Sequence, residues 1–248
     1  MGIFWAFIII SLWTMNLVYS LFLFDLVGSG FWWIILVVTQ TYLFTGLFIT
    51  AHDSMHGSIC KNRKLNSFIG RLSLVLFAAF SYSRVYKEHI AHHRYPGTEK
   101  DPDFSPQNQR FFPWLGRFLI HYITPIQIGF MAAVFMVMQY VLKVPVPNLL
   151  LLWILPALLS TVQLFMFGTY LPHRRPHNPE MKPHNARTQK KNHILAMLSC
   201  YFFGYHFEHH VSPRTPWWKL YAVKQEYEAG TLVDHTGLSN SMPKEEGE

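Results

Sequence analysis

The sequence is poor in charged residues and in cysteine. Only 14% of its 248 residues are charged, whereas roughly a quarter are charged in ordinary soluble domains. The two cysteines, Cys60 and Cys200, have no CxxC neighbour, so neither a disulfide framework nor a thiolate metal site is indicated. A GxGxxG run is also lacking, which argues against a dinucleotide-binding turn. Half of the residues are hydrophobic, a composition typical of an integral membrane protein.

Four apolar segments have about the 20 residues that a transmembrane helix requires. They are residues 3–24, 31–51, 123–142 and 149–171. The short connection within each pair predicts two helical hairpins, and the shorter apolar segments 68–80 and 111–120 are predicted to lie at the interface. We therefore expect one all-α membrane domain over residues 1–235, followed by a disordered tail, residues 236–248. The first span has no positive n-region or A-x-A site, so it is predicted to be retained. Its lack of a polar leader suggests that a few residues are missing from the start.

The positive charges fall in two regions of the chain. Of the 21 Lys and Arg residues, ten lie between His52 and Tyr122, ten follow Leu171, and only Lys143 lies elsewhere. With four spans both regions face the same side, which the positive-inside rule makes cytoplasmic. The net charge of +7 therefore reflects membrane orientation, and no nucleic-acid partner is expected. All 14 histidines lie in these two regions, so the functional residues are predicted on the cytoplasmic face of a multi-pass protein.

Three histidine clusters stand out in these regions. They are HDSMH with His52 and His56, HIAHH with His89, His92 and His93, and HFEHH with His206, His209 and His210. Residues three or four apart share one face of a helix, so each cluster is expected to direct its imidazoles toward a common point. Imidazole suits iron, zinc, copper and nickel, and eight donors exceed what one ion coordinates. The clusters therefore predict a site for two metal ions.

The donor pattern differs from two other kinds of metal site. A zinc metalloprotease has the pattern HExxH, whereas His52 is followed by Asp53. Ferritin-like di-iron proteins use Glu-x-x-His pairs, and no Glu here has a His three positions later. A histidine-dominated site for two metals in a membrane favours iron and O₂ chemistry, an interpretation that rests partly on the resemblance described next.

The clusters resemble the histidine boxes of the membrane fatty acid desaturase and hydroxylase superfamily, which are HxxxH, HxxHH and HxxHH over four spans. Within that superfamily, residues 43–220 look much like the bacterial and cyanobacterial β-carotene ketolases. The closer match lies in LFITAHDSMHG (47–57), DPDF (101–104), FGTYLPHR (167–174) and FGYHFEHH (203–210), followed by Trp217 and Trp218. The FGTYLPH run is not general to desaturases.

The resemblance implies a di-iron oxygenase that uses O₂ to introduce a keto group at C4 and C4′ of carotenoid β-ionone rings, by two hydroxylations and loss of water. It implies a carotenoid substrate such as β-carotene from the lipid phase, a ferredoxin or similar electron donor, and His173 as a further iron ligand beside the eight box histidines. Asp53, Asp101 and Glu208 are candidates to orient metal-bound histidines, since such rings commonly donate their second N–H to a carboxylate; the alternative is that they are solvated or helix-capping acids. The remaining histidines are given no ligand role. His177 is predicted to lie at the surface or in contact with a ligand, and surface or packing positions are predicted for His121, His184, His193 and His235.

Two alternative functions remain open. The first is a carotenoid ring hydroxylase or an acyl-lipid desaturase of the same superfamily. The second is a membrane metal transporter or haem protein. Transport sites typically lie near the bilayer midplane, whereas no His, Asp, Glu, Lys or Arg lies within the four predicted spans.

Overall fold

The computed structural model describes residues 1–232, and within that range the chain is helical without a β-strand. The main helices are α1 Gly2–Leu23, α2 Trp32–Met55, α3 Arg63–Ala78, α4 Tyr82–Arg94, α5 Phe111–Tyr122, α6 Pro125–Val141, α7 Val146–His173, α8 His193–Cys200, α9 His206–Val211 and α10 Leu220–Glu228. The predicted all-α class is confirmed for these residues. The predicted disordered tail, 236–248, and His235 lie outside the described residues.

Three helices are long and apolar enough to cross a membrane, namely α1, α2 and α7. Two further candidates are bent pairs: α3 and α4 meet at 102°, and α5 and α6 meet at 86°. The predicted span 123–142 corresponds to α6, which qualifies only together with α5. The structure therefore has three to five candidate spans where the sequence predicts four, and it is that of a membrane protein.

The ends of several helices follow from local sequence. The Asn62 side chain accepts a hydrogen bond from the Leu65 N–H and so begins α3, and Thr124 and Gln127 form a reciprocal capping box at the start of α6. Helix α2 continues beyond its predicted end at residue 51 and ends at Met55. The first histidine cluster therefore extends a membrane-length helix, with His52 in its last turn.

Helix α2 is the centre of the core and packs against α1, α3 and α7. The Phe44 ring lies edge-on to Trp13 of α1 and to Phe77 of α3, with ring centroids 5.4 and 5.7 Å away. A side chain at Gly70 would overlap Ser54 of α2. Because glycine permits this close approach, α3 lies directly against the end of α2 that carries His52.

Side-chain hydrogen bonds connect α2 to α7 and α8 inside the apolar core. Thr45 of α2 donates to the Gln163 side-chain oxygen of α7 over 2.5 Å. The Gln163 amide in turn donates to the Ser199 carbonyl of α8 over 2.6 Å. Polar groups without partners are costly in such surroundings, so this chain of bonds fixes how the three helices fit together.

Candidate metal centre

The nine histidines predicted as ligands come together in two groups. The five-histidine group consists of His52, His56, His89, His93 and His209. The four-histidine group consists of His92, His173, His206 and His210. Within each group, one ring nitrogen of every histidine lies within 4.8 Å of the others. Facing Nε2 atoms are 2.6 Å apart between His56 and His89 and 3.2 Å apart between His92 and His210.

The two HxxHH clusters each divide between the groups, which differs from the prediction that each cluster directs its rings toward one point. Helix α4 contributes His89 and His93 to the five-histidine group and His92 to the four-histidine group. Helix α9 contributes His209 to the five-histidine group and His206 and His210 to the four-histidine group. A step of three and a step of four residues diverge around the helix axis at 3.6 residues per turn. Each of the two helices therefore contributes to both groups.

The chemistry of the four-histidine group suits a cation. His173 Nδ1 lies 3.0 Å from the Asn185 carbonyl oxygen, so this nitrogen carries the proton. In the neutral ring, Nε2 then holds a lone pair, and this buried atom has no hydrogen-bond partner among the described residues. His92 Nδ1 lies 3.0 Å from both carboxylate oxygens of Asp101, which likewise directs Nε2 toward the group. Converging lone pairs of this kind fit a metal ion.

The burial of α9 keeps its histidines in the form that binds metal. Burial lowers the pKa of His206, His209 and His210 well below the ordinary imidazole value, and neighbouring histidines lower it further. Neutral imidazole is the ligand form of histidine. These residues are therefore uncharged at neutral pH and available as donors.

The three predicted acids have different surroundings. Asp101 pairs with His92 and also accepts the Gly97 N–H over 2.8 Å. Asp53 lies with one carboxylate oxygen 3.5 Å from His52 Nδ1 and the other 3.0 Å from the Trp217 N–H. The Glu208 carboxylate pairs instead with the Lys224 ammonium at 3.3 Å and the Thr188 hydroxyl at 2.9 Å. Its position thus differs from the predicted one beside an imidazole.

The remaining described histidines are held by other contacts. His121 lies 3.2 Å from a Glu88 carboxylate oxygen, and His193 lies 3.1 Å from the Tyr205 hydroxyl. His177 contacts the His173 carbonyl over 2.8 Å. His184 is fully buried, with its ring 5.7 Å from that of His210, and is a packing residue rather than a surface residue.

Two residues of the site, Asp103 and Tyr122, were given no role from the sequence. Asp103 accepts a hydrogen bond of 2.6 Å from the Tyr122 hydroxyl, and its other carboxylate oxygen lies 3.9 Å from His92 Nδ1. Burial raises the pKa of Asp103 to about 6. The DPDF run was a signal for Asp103, but the pairing with Tyr122 depends on α5 folding back over α4, which no local pattern indicates.

An apolar cavity reaches the metal centre. Four of the candidate ligands line it, namely His52, His89, His92 and His206. Its walls are mainly aromatic and aliphatic and include Phe48, Phe77, Phe80, Phe118, Leu164 and Phe203.

Comparisons with known proteins show the family of this chain. The fatty acid desaturase family model matches residues 28–143 and 124–238. The β-carotene ketolase of Paracoccus sp. (strain PC1) is 36% identical over 214 residues, which are 86% of this chain and 87% of the relative. The β-carotene 4-ketolase 3 of Haematococcus lacustris is 40% identical over 190 residues, 74% of this chain and 59% of the relative. The zeaxanthin 4-ketolase of Chlamydomonas reinhardtii is 37% identical over 237 residues, 90% of this chain and 53% of the relative. The chain thus spans most of the bacterial relative and between half and three fifths of these two algal ones, and it belongs to the fatty acid desaturase family, in the group that contains the β-carotene ketolases.

Proposed function

We propose that this protein is an O₂-dependent, di-iron carotenoid 4-ketolase that introduces a keto group at C4 and C4′ of β-ionone rings. The observation that supports this proposal most directly is the apolar cavity that ends on the two histidine groups. An apolar ring can enter such a cavity from lipid, and the histidines supply donors for two ions. The names of the relatives favour β-carotene as the substrate.

The five-histidine and four-histidine groups would each hold one iron ion. When bound, the iron pair supplies the redox chemistry that activates O₂ and replaces hydrogen by oxygen at C4. His173 belongs to the four-histidine group. Asp101 holds the orientation of His92 through Nδ1, and Asp53 lies where it can do the same for His52.

The overall reaction at each ring consumes two molecules of O₂, four electrons and four protons. Each hydroxylation takes one O₂, two electrons and two protons and releases one water, and the resulting geminal diol loses a third water to give the ketone. The apolar walls exclude bulk water from this chemistry. Asp103 borders the cavity beside the Tyr122 hydroxyl, and its pKa of about 6 allows it to hold or release a proton near neutral pH.

We further propose that the chain crosses the membrane four times as two hairpins, with both histidine-rich regions on the cytoplasmic side. Three helices of membrane length and the bent pair α5–α6 support this count. A ferredoxin or similar protein in the cytoplasm would then supply electrons, while the carotenoid arrives through the lipid.

Product analysis tests the proposed reaction. The chain would be expressed in parallel in cells that accumulate β-carotene and in cells that accumulate zeaxanthin. Carotenoids extracted from both would be separated by chromatography. We expect 4-keto products with absorption at longer wavelength, because the carbonyl extends the conjugated system. Hydroxylated products alone would instead indicate a ring hydroxylase, and altered fatty acids without altered carotenoids would indicate a desaturase.

Metal analysis tests the proposed centre independently. We expect about two iron ions per purified chain and no haem absorption, since each histidine group offers enough donors for one ion. One haem per chain, or zinc without iron, would contradict the proposal.

A further inference from the structure

A polar groove of about 590 Å³ opens on the metal centre through a different wall from the apolar cavity. Among the lining residues within 1–232, the groove and the cavity share only Met55. The groove also differs in character, because its walls carry hydroxyl, amide and charged groups, including Ser54, Asn66 and Tyr82. A carotenoid ring would not leave lipid for such a surface, so the groove is not suited to the substrate.

The groove reaches a candidate iron ligand. His56 lines it, whereas the ligands that line the apolar cavity are different histidines. The two metal groups also differ in burial, since all four members of the four-histidine group are buried and three members of the five-histidine group are only partly buried. The five-histidine group is therefore the part of the centre nearest to solvent, and His56 is its contact with the groove.

Three exposed cations border the groove, namely Lys61, Arg63 and Arg214. No Asp or Glu is among the described lining residues. A concave surface with one sign of charge attracts a partner of the opposite sign and accelerates its association. The groove therefore suits an acidic surface that must come close to His56.

We propose that the groove defined by Lys61, Arg63, Arg214 and His56 docks the acidic one-electron donor protein that reduces the metal centre. This inference rests on the proposed function. At each encounter the donor would lose one electron, which the iron ions held by the two histidine groups would accept, so two encounters would supply the electrons for one O₂. Reductant and substrate then use separate openings and do not compete.

The alternative occupant is an anionic lipid headgroup, which is the usual partner of basic residues beside a membrane. A headgroup would neutralise the same cations without any use of His56. The presence in the wall of a candidate ligand of the metal centre, His56, therefore favours the donor protein.

Stopped-flow reduction of the oxidised, iron-loaded protein tests the proposal without any carotenoid. The probe is an acidic [2Fe–2S] ferredoxin, reduced and anaerobic, with the protein held in phosphatidylcholine nanodiscs. In the variant with Lys61→Glu, Arg63→Glu and Arg214→Glu, the second-order rate constant for reduction by ferredoxin should be about tenfold lower at low salt. The difference from the unaltered protein should shrink as the salt concentration rises. Ferredoxin affinity, measured by calorimetry, should fall in parallel.

Lys64→Glu is the matched control, because Lys64 is exposed and adjacent to Arg63 but does not line the groove. Lys87→Glu tests the exposed basic side of α4 in the same way. Equal slowing by the controls and the groove variant would overturn the proposal, as would an effect that appears only when phosphatidylglycerol is added. If the triple variant binds less iron, the single variant Arg63→Glu is compared with Lys64→Glu instead. If ferredoxin reduces the unaltered protein through the groove but cells that express it form no keto products, the proposed function is contradicted and the proposed docking surface is not.

Discussion

At the scale of single residues, a backbone carbonyl determines which ring nitrogen of His173 carries the proton. Its Nδ1 faces the Asn185 carbonyl oxygen, and its unpartnered Nε2 faces the other members of the four-histidine group. This arrangement is the one that a metal-bound histidine commonly has. His177, only four residues later, instead uses its own Nε2 to contact the His173 carbonyl oxygen.

Replacing His173 should therefore empty one metal position. We expect His173→Ala to lower bound iron from about two ions per chain to about one, because three donors remain in its group. Iron measured by mass spectrometry against protein concentration provides the readout. His177→Ala is the control and should keep about two ions. Equal iron in both variants would show that His173 is not a ligand.

Gly168 provides a second residue-scale test. A Cβ at this position would lie 2.5 Å from Cε1 of Phe203, which lines the apolar cavity and whose ring centroid is 4.9 Å from that of His52. We expect Gly168→Ala to push Phe203 into the cavity and to reduce kcat/KM for the carotenoid about tenfold, because small displacements at the reacting centre are costly.

Gly129→Ala is the matched control for this change. A Cβ at Gly129 meets no atom within 4 Å, so turnover should stay within about twofold of the unaltered protein. Both rates would be measured with β-carotene in detergent micelles at equal iron content. A Gly168→Ala variant as active as the control would show that Phe203 does not define the substrate position.

The histidine clusters illustrate what could be predicted at this scale. The spacing of His89, His92 and His93 correctly indicated a helix, and the number of donors predicts two ions. The division of that cluster between two groups could not be predicted, because it depends on where α2 and α9 lie relative to α4. For the same reason Glu208, which lies within a cluster, pairs with Lys224 from a later helix.

At the scale of secondary-structure elements, α9 is a short helix that supplies three candidate ligands. A helix of this length is not stable alone, so tertiary contacts must hold it. Lys224 of α10 provides one, since its ammonium contacts both the Glu208 carboxylate and the Thr188 hydroxyl. Lys224 and Glu208 are both almost completely buried.

Loss of the Lys224 charge should destabilise the third histidine cluster. Lys224→Met leaves Glu208 buried without its cation, and breaking such a pair typically costs about 3–5 kcal/mol. We expect the midpoint of thermal unfolding in detergent, measured by nanoscale differential fluorimetry, to be lower in this variant. The double variant with Glu208→Gln and Lys224→Met should recover most of the lost thermal stability. Lys219→Met, at an exposed position, is the control, and an equal loss in that variant would contradict the role of the buried pair.

Helix boundaries show a second limit of sequence patterns. Hydropathy correctly located α1, α2 and α7, because each is a long apolar run. It ended α2 at residue 51, where polar residues begin, although the helix continues to Met55. The polar residues there are buried against α3 and the histidine groups rather than exposed to water, a fact that only the tertiary structure contains. The 86° bend between α5 and α6 is likewise invisible to hydropathy.

At the scale of the whole molecule, the centre lies between an apolar cavity and a basic groove. This arrangement requires the groove to face water on the side that carries most of the Lys and Arg residues. The proposed four-span topology places Cys60, which lines the groove, on the cytoplasmic side and Lys143 on the opposite side. A three-span topology without α6 would instead place both positions on the same side.

Labelling of cysteines in intact cells distinguishes these topologies. Cys60 is partly exposed and Cys200 is buried, so Cys200→Ser would serve as the background. We expect a membrane-impermeant maleimide to label Cys60 only after the cells are opened, because the positive-inside rule places its basic surroundings in the cytoplasm. In a second variant, with Cys60→Ser and Lys143→Cys, the same reagent should label the intact cells. Protection of both positions in intact cells would exclude the four-span arrangement, because Lys143 would then share the cytoplasmic side with Cys60.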